Sequence, residues 1–360
     1  MVYLLPAMLT LGLLGCAPDE PGAGSPSPSG TSPAGVTTVP TDTSAPGTSA
    51  TGSTATTGFT GDTAPPVPTY DCSTVPVLPV SSQIIDGPTG YHDLALTADG
   101  RIIGSSRSNN DLMVADYLGN VNVLVPQIGT IEQMVWLPDG DLAVASAVEG
   151  IVRVASTGGR IPINGDIRPY GLILGPDEML YAADQARVVR VDPATGSAEV
   201  LVEQGALASG SPRVIAFDLA YERMFIGTYG GSQGRIYVVD LDATYTPTTP
   251  PRVWVSGVGT GAYHDAIGVD ICGYLYVPDY STHTLWRVTP NASIVQAFES
   301  SPGLVNSEYP HGVTWGHGIG GWREDALYLP MPYKQNKVRE LVIGVPSRDW
   351  AGEAVNLPTW

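Results

Sequence analysis

From about residue 75 onward, apolar residues arrive in short runs rich in Val, Ile, Leu and Tyr, separated by Gly, Pro and Asp turns. No long stretch repeats its apolar positions at the 3.6-residue spacing of a helix, so the pattern predicts strands. Stacked on one another, the runs repeat as units of four. One unit reads YGLILGPDE, MLYAAD, RVVRVDPATG and SAEVLV. The two before it begin HDLALTADG and EQMVWLPDG, and the three after it begin RVIAFDLAYE, DAIGVDICG and HGVTWGHGIGGWRED. Aligned by their first turns, the units bring His92, Glu132, Tyr170, Arg213, Asp265 and His311 to one equivalent position, at spacings of 40, 38, 43, 52 and 46 residues. A four-stranded propeller blade has a period of roughly 40–50 residues. The expected fold is therefore an all-β, six-bladed β-propeller of four-stranded blades over residues 70–360. The sixth unit shows no fourth strand after Val345. The run PVLPVSSQIID, residues 76–86, stands before the first unit and could supply it. A ring closed by strands from both chain ends has no exposed edges.

Two segments precede the repeats. Residues 1–15, MVYLLPAMLTLGLLG, are almost wholly apolar and too short to span a bilayer comfortably, as in a signal peptide. They lead into Leu13-Leu14-Gly15-Cys16, which resembles the bacterial lipobox. That resemblance implies cleavage before Cys16, lipidation of Cys16 and a membrane hold through buried methylenes. An uncleaved anchor or a buried N-terminal strand is the alternative. Ala17, not Asp, follows the cysteine, so inner-membrane retention is not signalled. The expected location is the cell envelope, at the outer membrane or the periplasmic or extracellular face. Residues 16–69 are then the lipidated cysteine and a Thr/Ser/Gly/Pro tether with too little apolar surface to offset the entropy of ordering.

Charge narrows the partners. The chain carries 17 Lys+Arg against 35 Asp+Glu, a formal net charge of −18. Nucleic acid and anionic lipid both need a basic face, so neither is expected as a partner. Cations, neutral small molecules and cell-surface ligands remain, with a monomeric protein attached to membrane only through its lipid. Seventeen Tyr and seven Trp against four Phe, with 43 Gly and 32 Pro, fit short strands and many turns. No phosphate loop, HExxH or CxxC is present, so nucleotide chemistry has no support.

Candidate chemistry sits at the aligned position. The innermost strand of each blade lines the channel, and its first residue lies at the mouth. His92, Glu132, Asp265 and His311 come from blades that neighbour one another in a closed ring, and two imidazoles with two carboxylates suit a divalent ion such as Ca or Zn. Tyr170 could exchange a proton, and Arg213 could hold a carboxylate or oxyanion. A solvated channel lining is the bland alternative. The tripeptides Tyr91-His92-Asp93 and Tyr263-His264-Asp265 are offset by one position in this alignment. If they align directly, His92 and His264 form the pair instead. His283 and His317 read as loop residues, Asp99-Gly100 and Asp139-Gly140 as turns opposite the ring, and Asn291-Ala292-Ser293 as a glycosylation sequon.

The stretches YGLILGPDEMLYAAD and DAIGVDICGYLYVPDYSTHTLWRV resemble the six-bladed propellers of the gluconolactonase/senescence-marker (strictosidine synthase-like) and NHL-repeat type. The resemblance covers residues 76–345. The gluconolactonase type implies one divalent metal at the mouth, held by a Glu, an Asn and an Asp. Asp265 matches that Asp, while Tyr170 stands at the Asn and His92 near the Glu. The zinc-dependent amidating lyases of the NHL type imply three His on the metal, with a Tyr and an Arg on the substrate. His92 and His311 match two of those His, and His264 could supply the third.

Cys72 and Cys272 remain after Cys16. Both are expected on the face opposite the ring, either paired as a disulfide in an oxidising compartment or as two free thiols. Two functions stay open: a metal-dependent hydrolase or lyase acting on a small molecule, and a non-catalytic surface lipoprotein that binds a glycan, peptide or protein.

Overall fold

The computed structural model describes residues 70–76, 80–87, 93–106, 109–184, 186–231, 233–259, 261, 263–280, 282–293, 295–298, 310–331, 337–350, 357–358 and 360. The lipobox, the tether and His92 lie outside them. Among the described residues are 24 strands and two short 3-10 turns, with no α-helix.

The strands form six four-stranded antiparallel sheets. Blade one is β2–β5 (Ala95–Leu96, Ile102–Ser105, Leu112–Ala115, Val121–Val125), and blade two is β6–β9 (Ile131–Trp136, Leu142–Ser146, Gly150–Val154, Arg160–Asn164). Blade three is β10–β13 (Gly171–Leu174, Leu180–Ala183, Arg187–Val191, Ala198–Glu203), and blade four is β14–β17 (Ser211–Phe217, Arg223–Tyr229, Ile236–Asp240, Arg252–Val255). Blade five is β18–β21 (Gly268–Val269, Leu275–Asp279, Thr284–Val288, Val295–Phe298). Blade six takes β22–β24 (Thr314–Trp315, Ala326–Pro330, Lys337–Val342) from the C-terminal end and β1 (Ser82–Asp86) from the N-terminal end. Ile84 pairs with Arg339 and Ile85 with Val338. The protein is an all-β six-bladed propeller, closed by the segment that the sequence offers for that purpose.

Burial runs outward along each blade. β7 (LAVAS) and β23 (ALYLP) are buried throughout, because a second strand is covered by a neighbouring blade on each face. The fourth strands β5 and β9 are mostly exposed or half-buried. The core is six clusters rather than one, each shared by two adjacent blades. Ile103, Leu112, Met134 and Val144 join blades one and two. Ile85, Leu96, Tyr328 and Val338 join blades six and one, which completes the ring. Tryptophan indoles lock some of these joints: Trp136 Nε1 donates to Leu96 O at 2.8 Å and Trp322 Nε1 to Gly100 O at 2.9 Å.

Cys72 and Cys272 are joined in a disulfide, with Cα atoms 5.6 Å apart. The bond ties the segment before β1 to the β18–β19 turn. Arg287 Nη1 donates to Pro76 O at 2.9 Å and the Tyr70 hydroxyl to Gly344 O at 2.6 Å, so the same segment is fixed at three points.

Candidate functional site

Ladder register gives the ring alignment a physical basis. The last paired residues of the innermost strands are Leu96, Trp136, Leu174, Phe217, Val269 and Trp315. Glu132, Tyr170, Arg213, Asp265 and His311 each stand four positions before theirs. In blade one that position is His92, outside the described residues. Asp265, not His264, is therefore the blade-five equivalent of His92.

Three of the five come into direct contact. The Asp265 carboxylate has Oδ1 2.7 Å from Arg213 Nη2 and Oδ2 3.2 Å from His311 Nδ1. All three are buried: Asp265 is 0 % exposed, His311 3 % and Arg213 8 %. The Arg213 guanidinium also lies over the rings of Tyr170, 4.4 Å from the centroid, and Tyr229, at 4.9 Å. Blades three to six thus contribute one continuous set of contacts. Gly171 lets blade three approach blade four closely enough for this. A Cβ there would stand 2.7 Å from Arg213 O and 2.8 Å from Val214 Cα.

Burial is the main force raising the Tyr170 phenol pKa, and the Glu132 charge raises it further against the opposing pull of Arg213. Tyr170 is therefore a neutral hydroxyl at physiological pH. Glu132 is buried in blade two, on the Tyr170 side of the mouth.

His264 has a different task. Its Nδ1 accepts from Thr228 N at 3.1 Å, and its Nε2 lies 2.8 Å from Val258 O. Both ring nitrogens are thus engaged by blade-four backbone, with the proton on Nε2. Burial lowers its pKa, so the ring is neutral. No lone pair is left for an ion, and the three-His set loses its third member.

Of the four candidate metal ligands, His92 lies outside the described residues, so the fit to a divalent metal is read from Glu132, Asp265 and His311. Among the described residues, no group of three or more His, Cys, Asp or Glu side chains could hold an ion. Asp265 already has a guanidinium beside it, supplying the positive charge that an ion would bring.

Sequence reasoning missed the tyrosines around the ring. Tyr229 ends β15, and Tyr280 directly follows β19. Each stands five residues after the first residue that its strand pairs to the innermost strand, Met224 or Leu275. The repetition of Tyr at one position in adjacent blades was the available signal. Tyr263 bridges to Tyr229 through its backbone and stacks edge-on against its ring at 4.7 Å. Tyr263 O also accepts from Tyr280 N at 3.0 Å, and the Tyr280 ring lies 5.4 Å from that of His311.

Solved structures with this arrangement of blades include a gluconolactonase of Xanthomonas campestris, 14% identical with a TM-score of 0.58, covering 74% of this chain and 90% of its own. The likeness is one of fold, a six-bladed β-propeller. A calcium-binding protein, regucalcin, of Agrobacterium tumefaciens gives a TM-score of 0.59 at 14% identity, with 78% and 97% of the two chains covered. An auxiliary nutrient-binding protein of Bacteroides thetaiotaomicron gives 0.55 at 12%, with 74% and 77% covered. No protein-family model matches the chain, and no curated protein matches its sequence. One architecture thus serves several activities among these neighbours, and function has to be argued from the site.

Proposed function

We propose that the chain is an exported, lipid-anchored propeller that takes a small, neutral, hydroxyl-bearing molecule at its channel mouth. We infer that His311, oriented by Asp265, is the base that serves it there. One observation carries this reading: a buried Asp265 held between Arg213 and His311. Burying three ionisable groups costs desolvation that apolar side chains would avoid, so their place at the mouth is better explained by a ligand than by stability. The charges of Arg213 and Asp265 cancel, which favours a neutral molecule over a carboxylate. A carboxylate on one imidazole nitrogen fixes the tautomer and orients the other nitrogen for proton abstraction. Tyr229, Tyr263 and Tyr280 supply aromatic faces of the kind on which sugar rings stack. Sugar lactones and related esters combine these features. The lipobox and tether support anchoring at the cell envelope.

The test is turnover of a panel of neutral sugar lactones. His311→Asn is expected to lower kcat by about 10²–10⁴-fold and to raise KM by about tenfold. No turnover by the wild type, with retained sugar binding, would favour the second reading, a non-catalytic binder. The 38 % exposure of Tyr229 beside Tyr263 favours that reading.

A further inference from the structure

The channel has a second end. Below the ring lies a cavity of about 690 Å³, within the size range of small-molecule sites. Its walls include Leu96, Met134, Trp136 and Ile173 from blades one to three and Thr314 and His317 from blade six, and none of the described ring residues lines it. Arg348 and Asp349, from the chain beyond blade six, form part of the rim.

Tyr221 lines this cavity beside Arg348 and Asp349. It occupies the fourth position of the blade-four first turn, where blades one, two and five have Gly100, Gly140 and Gly273 with φ of +79°, +89° and +79°, and blade three has Glu178 at +61°. Tyr221 adopts the same left-handed conformation, φ +57°, which glycine accepts freely and a Cβ-bearing residue does not. The strain is offset by what the side chain does. Its ring lies 5.6 Å from Phe217 and under the Arg348 guanidinium at 4.6 Å, and its hydroxyl lies 3.3 Å from Asp349 Oδ1. Arg348 Nε and Nη2 grip the same carboxylate at 3.1 and 3.2 Å, while Nη1 donates to Phe217 O at 3.0 Å. Asp349 is thereby fixed at the edge of an apolar chamber with its side chain still 45% exposed.

We propose that this chamber is a second binding site, separate from the mouth, for a small apolar, ring-bearing molecule with one hydroxyl or amine donor. The aliphatic walls and the Trp136 indole take the ring. Asp349, an acceptor whose charge Arg348 balances, takes the donor and asks for no formal charge on the ligand.

The probe is N-phenyl-1-naphthylamine, a neutral aromatic with a single N–H, titrated by fluorescence into residues 17–360, which retain every described residue. Saturable binding of one molecule per chain is expected. Ile173→Trp, which fills the chamber, is expected to weaken it by about tenfold or more at an unchanged melting temperature, and Asp349→Asn by about threefold. His311→Ala, at the other end of the channel, is expected to leave it unchanged. Tyr221→Gly suits the local φ and is expected to weaken binding as well, which provides a variant should Ile173→Trp fail to fold. Absence of saturable binding by the wild type overturns the proposal. So does binding that the folded chamber variants leave unaltered.

Discussion

Asp265 is a buried charge shared by Arg213 and His311, and its removal leaves a guanidinium buried without its counter-charge. Asp265→Ala is expected to cost about 3–5 kcal/mol in denaturant unfolding, and the pair Arg213→Met/Asp265→Leu distinctly less, because apolar replacements of a buried ion pair carry no stranded charge. His264 is neutral when folded and titrates near 6.5 when unfolded. Its depressed pKa makes a contribution that is fully present above pH 6.5 and lost as pH falls below it. Asp270 runs the other way. Burial pushes its carboxyl up to about 6 from 3.8, so the stabilisation from holding its proton is present below pH 3.8 and lost as pH rises through about 6. Asp270→Asn keeps an acceptor for Cys272 N and Tyr274 N. It is expected to gain up to about 3 kcal/mol on the wild type at pH 8 and little at pH 4, read by denaturant unfolding at both pH values. At this scale the sequence was legible only in part. Turn alignment identifies the ring position, because each first strand is punctuated by the same turn. It could not reveal that Arg213 turns onto Asp265, or that His264 faces backbone. Those outcomes depend on how adjacent blades approach, which no single strand encodes.

At the scale of elements, the repeat is clear in the sequence because every blade needs the same alternation of buried strands and tight turns. The strand limits are not. In blade one the innermost strand shortens to Ala95–Leu96, since Leu94 N–H donates to its neighbour's side chain, Asp93 Oδ1, at 2.8 Å. Asp93 in turn receives Thr314 Oγ1 from blade six at 2.9 Å. The polar residue after the ring position thus joins blades rather than extending a ladder. Gln133, inside β6, also joins blades through its side chain, accepting from Leu172 N at 2.7 Å. The closing strand β1 depends on the clasp before it, in which the Cys72–Cys272 bond spans 200 residues of sequence. Replacing Cys72 and Cys272 by Ser is expected to cost about 2–5 kcal/mol in denaturant unfolding. Because Cys272 lies in a turn opposite the ring, ligand binding at the mouth is expected to survive wherever the variant remains folded.

For the whole molecule, six shared cores make a rigid ring whose two channel ends differ in chemistry, one charged and tyrosine-lined, the other apolar. Acidity at −18 overall does not by itself create a cation site. Asp265 is engaged by Arg213, so millimolar Ca or Zn is expected to leave the melting temperature of residues 17–360 unchanged. The most direct test of the mouth is calorimetric titration of that protein with neutral sugars and their lactones, the wild type beside Tyr229→Ala and His311→Asn. Saturable one-to-one binding by the wild type, weakened about tenfold or more in both folded variants, is the expected result. No binding by the wild type, or equal binding by all three proteins, would contradict a ligand site built on Arg213, Asp265 and His311.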